Sequence, residues 1–149
     1  MGIFRSDVQV ALNDLHLALQ ESADHYRFAA EFLSESPACQ VCEQLAGARE
    51  ALAVKVADLI RAAGELPGEP DRDLEAAAQL RQQFEALFSE DAAAGVVRQR
   101  IRSEMDLENL LKGDVVSPLE AEHAALLRDC RNSAERALKL MAPLADPET

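Results

Sequence analysis

Apolar residues recur every three or four positions along most of the chain, the spacing of helices that bury one stripe. A first stripe runs through Val8, Leu12, Leu15, Leu19, Ser22, Tyr26, Ala29 and Leu33. A second runs through Cys42, Leu45, Arg49, Leu52, Val56, Leu59 and Ala63. A third holds Val97, Ile101, Glu104, Glu108 (or its neighbour Leu107) and Leu111, and a fourth holds Leu119, His123, Leu126, Cys130, Ser133, Ala137 and Leu140. No stretch alternates with the period of two that marks a strand.

Turn chemistry cuts the pattern into elements. "SDVQ" at Ser6–Gln9 is a capping box, in which Ser caps a helix and Gln three residues later reaches back. Ser36 before Pro37 is an N-cap with proline at the first helical position. "SPLE" at Ser117–Glu120 repeats both devices. "GELPGEPD", "SED" and "KGDVVS" interrupt helices. The expected helices are therefore A near Asp7–Leu33, B near Pro37–Ala63, C near Ala92–Leu111 and D near Pro118–Met141, with a shorter one near Arg72–Phe88. Short A–B and C–D links make antiparallel hairpins. The long B–C connection carries the chain back along the bundle, so B and C run parallel.

Composition narrows the function. At 149 residues the chain fits one domain with a real core. A net charge of −12 disfavours nucleic acid and anionic membranes as partners. No apolar run is long enough to span a membrane and no signal peptide is visible, which with three cysteines points to a reducing cytoplasm. Gly2 with Ser6 fits the loose myristoylation pattern, but the segment reads better as a helix start.

The segments "LNDLHLALQESADHYRFAAEF", "LAGAREALAVKVADLIRAAGELP", "LEAAAQLRQQFEALF" and "RSEMDLENLL" together resemble the ferritin-like superfamily, and within it uncharacterised bacterial four-helix domains. The resemblance covers nearly the whole chain. It implies an all-α, ferritin-like four-helix bundle with one long B–C crossover carrying a short extra helix. Di-iron members take one Glu from each of two helices and Glu-x-x-His from each of the other two. Here Leu19 falls in the helix A slot, Arg49 and Leu52 take the Glu and His slots of helix B, and helix D offers Cys130 and Ser133. Glu104 alone fits. The resemblance therefore implies a degenerate di-iron site.

Arg49 lies about twelve residues into helix B and Glu104 about thirteen into helix C, so at about 1.5 Å per residue they share a height. Counting the opposed helices from their far ends brings Ser22 and Cys130 to the same level. The expectation is a polar core layer of Arg49, Glu104, Ser22 and Cys130, with the guanidinium neutralising the carboxylate, since either charge alone is costly to bury.

Other residues offer weaker chemistry. Cys39 and Cys42 form C-x-x-C at a helix start, where a thiol pKa can fall, and so are a candidate redox pair; packing cysteines are the simpler reading. Glu120 with His123 is the sole literal Glu-x-x-His and, with Glu104, a metal candidate set, but it sits near the bundle end. Glu21 and His25, four apart, have a spacing that could grip a metal, but the heptad count puts Glu21 on the outer face and His25 at its flank, so a solvated helix surface is the better reading. No phosphate loop, nucleophile elbow or other catalytic constellation is visible. The sequence thus leads to a non-catalytic binding or scaffolding bundle without a cofactor, having a protein partner or forming a homodimer. The alternative is a metal-binding or thiol-redox protein.

Overall fold

The computed structural model describes residues 6–68, 79, 82 and 92–145. Among these residues the chain is all-helical: α1 (Asp7–Phe32), α2 (Pro37–Ala62), α3 (Ala92–Lys112), a 3-10 turn (Ser117–Leu119) and α4 (Ala124–Ala145). The helix expected near Arg72–Phe88, the "SED" break and Gly2 lie outside the described residues. No helix among the described residues is long and apolar enough to cross a membrane.

The local signals explain most of the boundaries. Ser6 Oγ accepts from Gln9 N (3.1 Å) while Gln9 Oε1 accepts from Ser6 N (2.8 Å), so the capping box of α1 is complete. Ser36 Oγ accepts from Ala38 N (3.2 Å) at the start of α2. Gly64, at φ +85°, stops α2 in a left-handed conformation that glycine adopts without a Cβ clash. It allows Glu65 N to donate to Ile60 O (3.2 Å) and Gly64 N to Arg61 O (2.9 Å), the paired bonds of a Schellman cap.

The last helix departs from expectation at both ends. Pro118 opens only a 3-10 turn, and the second capping box does not form. Ser117 Oγ donates to Asp114 O (3.0 Å), and no side chain caps the turn. Glu120 is held elsewhere, accepting from Arg131 Nη2 (2.6 Å). Arg131 also donates from Nε (2.9 Å) and Nη2 (2.7 Å) to Leu111 O, an end carbonyl of α3, and so ties the α3–α4 connection together. At the other end α4 runs past Met141 and through Pro143 to Ala145. Proline removes one helical hydrogen bond there, but in an exposed last turn the freed carbonyl can reach water. Leu144 and Ala145 pack on the core, and Arg98 Nη1 donates to Ala145 O (3.0 Å).

Two apolar clusters fill the bundle. One joins the N-terminal half of α1 (Leu12, Leu15, Leu19) to the C-terminal halves of α2 (Leu52, Val56, Ile60) and α3 (Leu107, Leu111) and the N-terminal half of α4 (Leu126, Leu127). The other joins the opposite halves, including Tyr26, Ala29, Leu45, Val96, Val97, Ala137 and Met141. Each buried Leu or Val contributes about 1.5–3 kcal/mol. This arrangement fixes the directions: α1 and α4 run one way, α2 and α3 the other. Packing is most extensive within the pairs α1–α2 and α3–α4, lighter between α2 and α4, and lighter again between α1 and α3.

Most seam positions are buried as the spacing predicts, with local shifts. Ile60 replaces Leu59 at the buried end of α2, where Ala63 is exposed. In α3, Leu107 rather than Glu108 is inside, and Arg100 is buried while Ile101 is half-buried. In α4, Met141 is buried and Leu140 half-buried.

Candidate functional site: a polar layer between two apolar clusters

Where the two clusters meet, each helix contributes polar side chains. Arg49 is 0% exposed and Glu104 2% exposed. The guanidinium meets the carboxylate with two donors: Nη1 donates to Oε2 (2.9 Å) and Nη2 to Oε1. Nη1 also donates to Ser22 Oγ (2.9 Å), and Nε donates to Ser133 Oγ (3.0 Å). Tyr26 OH donates to Glu104 Oε2 at 2.8 Å and lies 3.8 Å from Met141 Sδ. The pairing has the fork-to-carboxylate form that makes arginine suited to buried ion pairs.

Arg49, Glu104 and Ser22 thus meet as the sequence predicts, but Cys130 does not join them. Cys130 is buried in the first apolar cluster, and Ser133 takes the contact with Arg49. The cause is the extra turn of α4: counting from Met141 reaches Cys130, whereas counting from Ala145 reaches Ser133.

A second arginine, Arg100, was not singled out by the sequence reading and is 2% exposed. Its Nε donates to Gln99 Oε1 (3.0 Å) and its Nη2 to Ser103 Oγ (2.7 Å), both neutral acceptors. The Cζ atoms of Arg100 and Arg49 lie 5.2 and 5.8 Å from the Tyr26 ring centroid, within cation–π range. One signal was available: Arg100 stands four residues before Glu104, on the same helix face. Burial pushes the Tyr26 phenol well above its usual range, and the neighbouring Glu104 charge adds to the shift. Burial also lowers the Arg100 pKa, opposed by Tyr26 and Glu104.

Beside this layer, between α1 and α3, lies a cavity of about 250 Å³. Ser22, Arg100, Ser103 and Glu104 supply its polar lining, Ala18, Leu107 and Leu110 its apolar lining, and Glu21, His25 and Asp106 further polar groups. Glu21 and Asp106 are exposed. His25 Nε2 is 3.7 Å from Glu21 Oε1. Burial and then the Arg100 charge lower the His25 pKa, against Glu21 and Asp24.

The remaining candidates stand apart from the layer. Glu120 is engaged by Arg131, and half-buried His123 has its carbonyl accepting from Leu127 N (3.1 Å) at the α4 start. Neither is brought to Glu104. Among the described residues, no group of three or more His, Cys, Asp or Glu side chains is assembled to hold a metal. The layer's donor set does not fit a pair of metal ions: the Arg49 guanidinium lies within it, and both Glu104 oxygens already accept hydrogen bonds.

The three cysteines are free. Burial pushes the Cys42 and Cys130 thiols up to about 11. Cys39 is also raised, by desolvation and then by Glu43, whose Oε1 is 3.7 Å from its Sγ. These shifts oppose the lowering that a redox thiol at a helix start requires. The sequence reading also missed His16, which is buried with Nδ1 lacking a hydrogen-bond partner. It lies near the Gly68 segment, whose backbone N donates to Asn13 Oδ1 (3.0 Å).

Compared with known proteins, the chain matches no family model, no curated protein and no solved structure.

Proposed function

We propose that this chain is a ferritin-like bundle in which an arginine–glutamate pair stands where di-iron relatives hold their metals, and that it acts as a non-catalytic binding or scaffolding domain. The observation that carries the reading is the fully buried Arg49 guanidinium, which spans the polar layer and engages both oxygens of Glu104. A cation there repels a metal ion, and the carboxylate it neutralises has no oxygen free of hydrogen bonds. Helix directions support the ferritin-like part of the reading, since α1 and α4 oppose α2 and α3 across a long α2–α3 connection. The raised thiol pKa values favour packing cysteines over the redox alternative.

The ligand of such a domain is a protein partner or a second copy of the chain, and an acidic protein with a net charge of −12 favours partners with basic surfaces. Metal analysis of protein purified without chelator tests the reading. The expected result is no stoichiometric iron or manganese and no ferroxidase activity. About two irons per chain, lost on Glu104→Ala, would overturn it.

A further inference from the structure

The buried charges of the described residues do not balance. Arg49 and Arg100 are both at least nine-tenths buried, against Glu104 as the only carboxylate buried to that degree among those residues. Arg49 takes Glu104 in a two-pronged ion pair, whereas among the described residues Arg100 donates its hydrogen bonds to the neutral oxygens of Gln99 and Ser103. A buried cation left with neutral acceptors is costly, and an anion brought beside it would offset that cost. Arg100 lines the cavity between α1 and α3, so there is room beside it for such an anion.

We propose that this cavity binds a small monocarboxylate with an apolar body, its carboxylate on Arg100 and Ser103 and its body against Ala18, Leu107 and Leu110. The proposal deepens the reading of the bundle as a binding domain and rests on it. Size limits the ligand: a cavity of about 150 Å³ accepts benzene, so about 250 Å³ accepts about ten non-hydrogen atoms. Charge limits it to a monoanion, because Glu104, Glu21 and Asp106 also line the cavity and repel a dianion. The apolar side chains of Leu107 and Leu110 favour a hydrocarbon body over a second polar group.

Calorimetric titration of the full chain tests this with three probes: benzoate, its uncharged counterpart benzyl alcohol, and inorganic phosphate. Benzoate should bind saturably at one site, with a Kd of about 1 mM or tighter. Benzyl alcohol and phosphate should each bind at least about tenfold more weakly, since a charge-assisted hydrogen bond is worth that factor. Arg100→Met should weaken benzoate by about the same factor. Ala18→Phe, which fills the cavity and leaves Arg100 in place, should abolish binding, and it keeps the test decisive if Arg100→Met does not fold. Absence of saturable benzoate binding to the folded wild-type chain would overturn the proposal. So would equal binding of benzyl alcohol or phosphate, or benzoate binding that survives Ala18→Phe. Metal analysis on the same preparation separates the two levels: stoichiometric iron sinks the parent reading, whereas a metal-free protein that ignores benzoate sinks only this proposal.

Discussion

The two buried arginines of the central layer have contrasting surroundings. Arg49, on α2, directs four hydrogen bonds across the bundle, to Ser22 on α1, Glu104 on α3 and Ser133 on α4. Nearly all of its five donors are used there, and its exposure is 0%. Arg100, on α3, donates to neutral oxygens and lines the cavity between α1 and α3, where packing is light. The same side chain thus serves as a saturated internal strut at position 49 and as a cation held by neutral oxygens at position 100. The difference follows from position in the layer: Arg49 reaches across the bundle centre, where every donor must find a partner within the protein, whereas Arg100 stands beside the cavity.

Separating the members of the saturated pair should have the largest effect. Arg49→Leu alone should cost about 3–5 kcal/mol, because it strands Glu104 in the core, and Glu104→Leu should be similarly harmful. The double replacement should recover much of that loss, since two apolar side chains can fill the layer. Denaturant melts of the four proteins give the coupling directly. A value below about 0.5 kcal/mol would mean that the two arginines do not differ in the way described.

Acid should act next, through His16 and His25. Burial is the first cause of a lowered pKa at both; Arg61 assists at His16 and Arg100 at His25, while the Gly68 backbone bond opposes at His16 and Glu21 and Asp24 at His25. A histidine with a depressed folded pKa binds its proton more readily when unfolded. Its contribution to stability is therefore complete above the unfolded value of about 6.5 and is lost as pH falls from there through the folded pKa. Stability should decline over that window in the wild-type chain, and His16→Gln should flatten the decline. A melting temperature that rises on acidification through the window would contradict this sign.

The smallest change is expected at the unsaturated arginine. Arg100→Met relieves the burial of a cation but gives up its hydrogen bonds to Gln99 and Ser103 and its stacking on Tyr26, so the terms offset and stability should stay within about 1 kcal/mol of wild type. The same substitution should raise the His25 pKa in an NMR titration, because one of the charges lowering it is gone. A loss from Arg100→Met as large as that from Arg49→Leu would erase the contrast between the two arginines.

The sequence by itself determined the helices and the pairing at their centre. Capping signals at Ser6 and Ser36 are local chemistry and stand where they were read. Stripe periodicity set the inward faces, and a fixed rise per residue put Arg49 level with Glu104 because α2 and α3 run the same way. Tertiary structure decided what depends on distant neighbours. α4 starts at Ala124 rather than Pro118, and Glu120, free to cap in a local reading, is held by Arg131. Its end moved past Met141 because packing of Leu144 and Ala145 accompanies a helix that continues through Pro143, and that extra turn exchanged Cys130 for Ser133. Burial of Arg100 and His16 also escaped a stripe count. A periodicity marks the middle of a helix face, whereas burial at its flank is set by how closely the next helix, or the segment at Gly68, comes to lie.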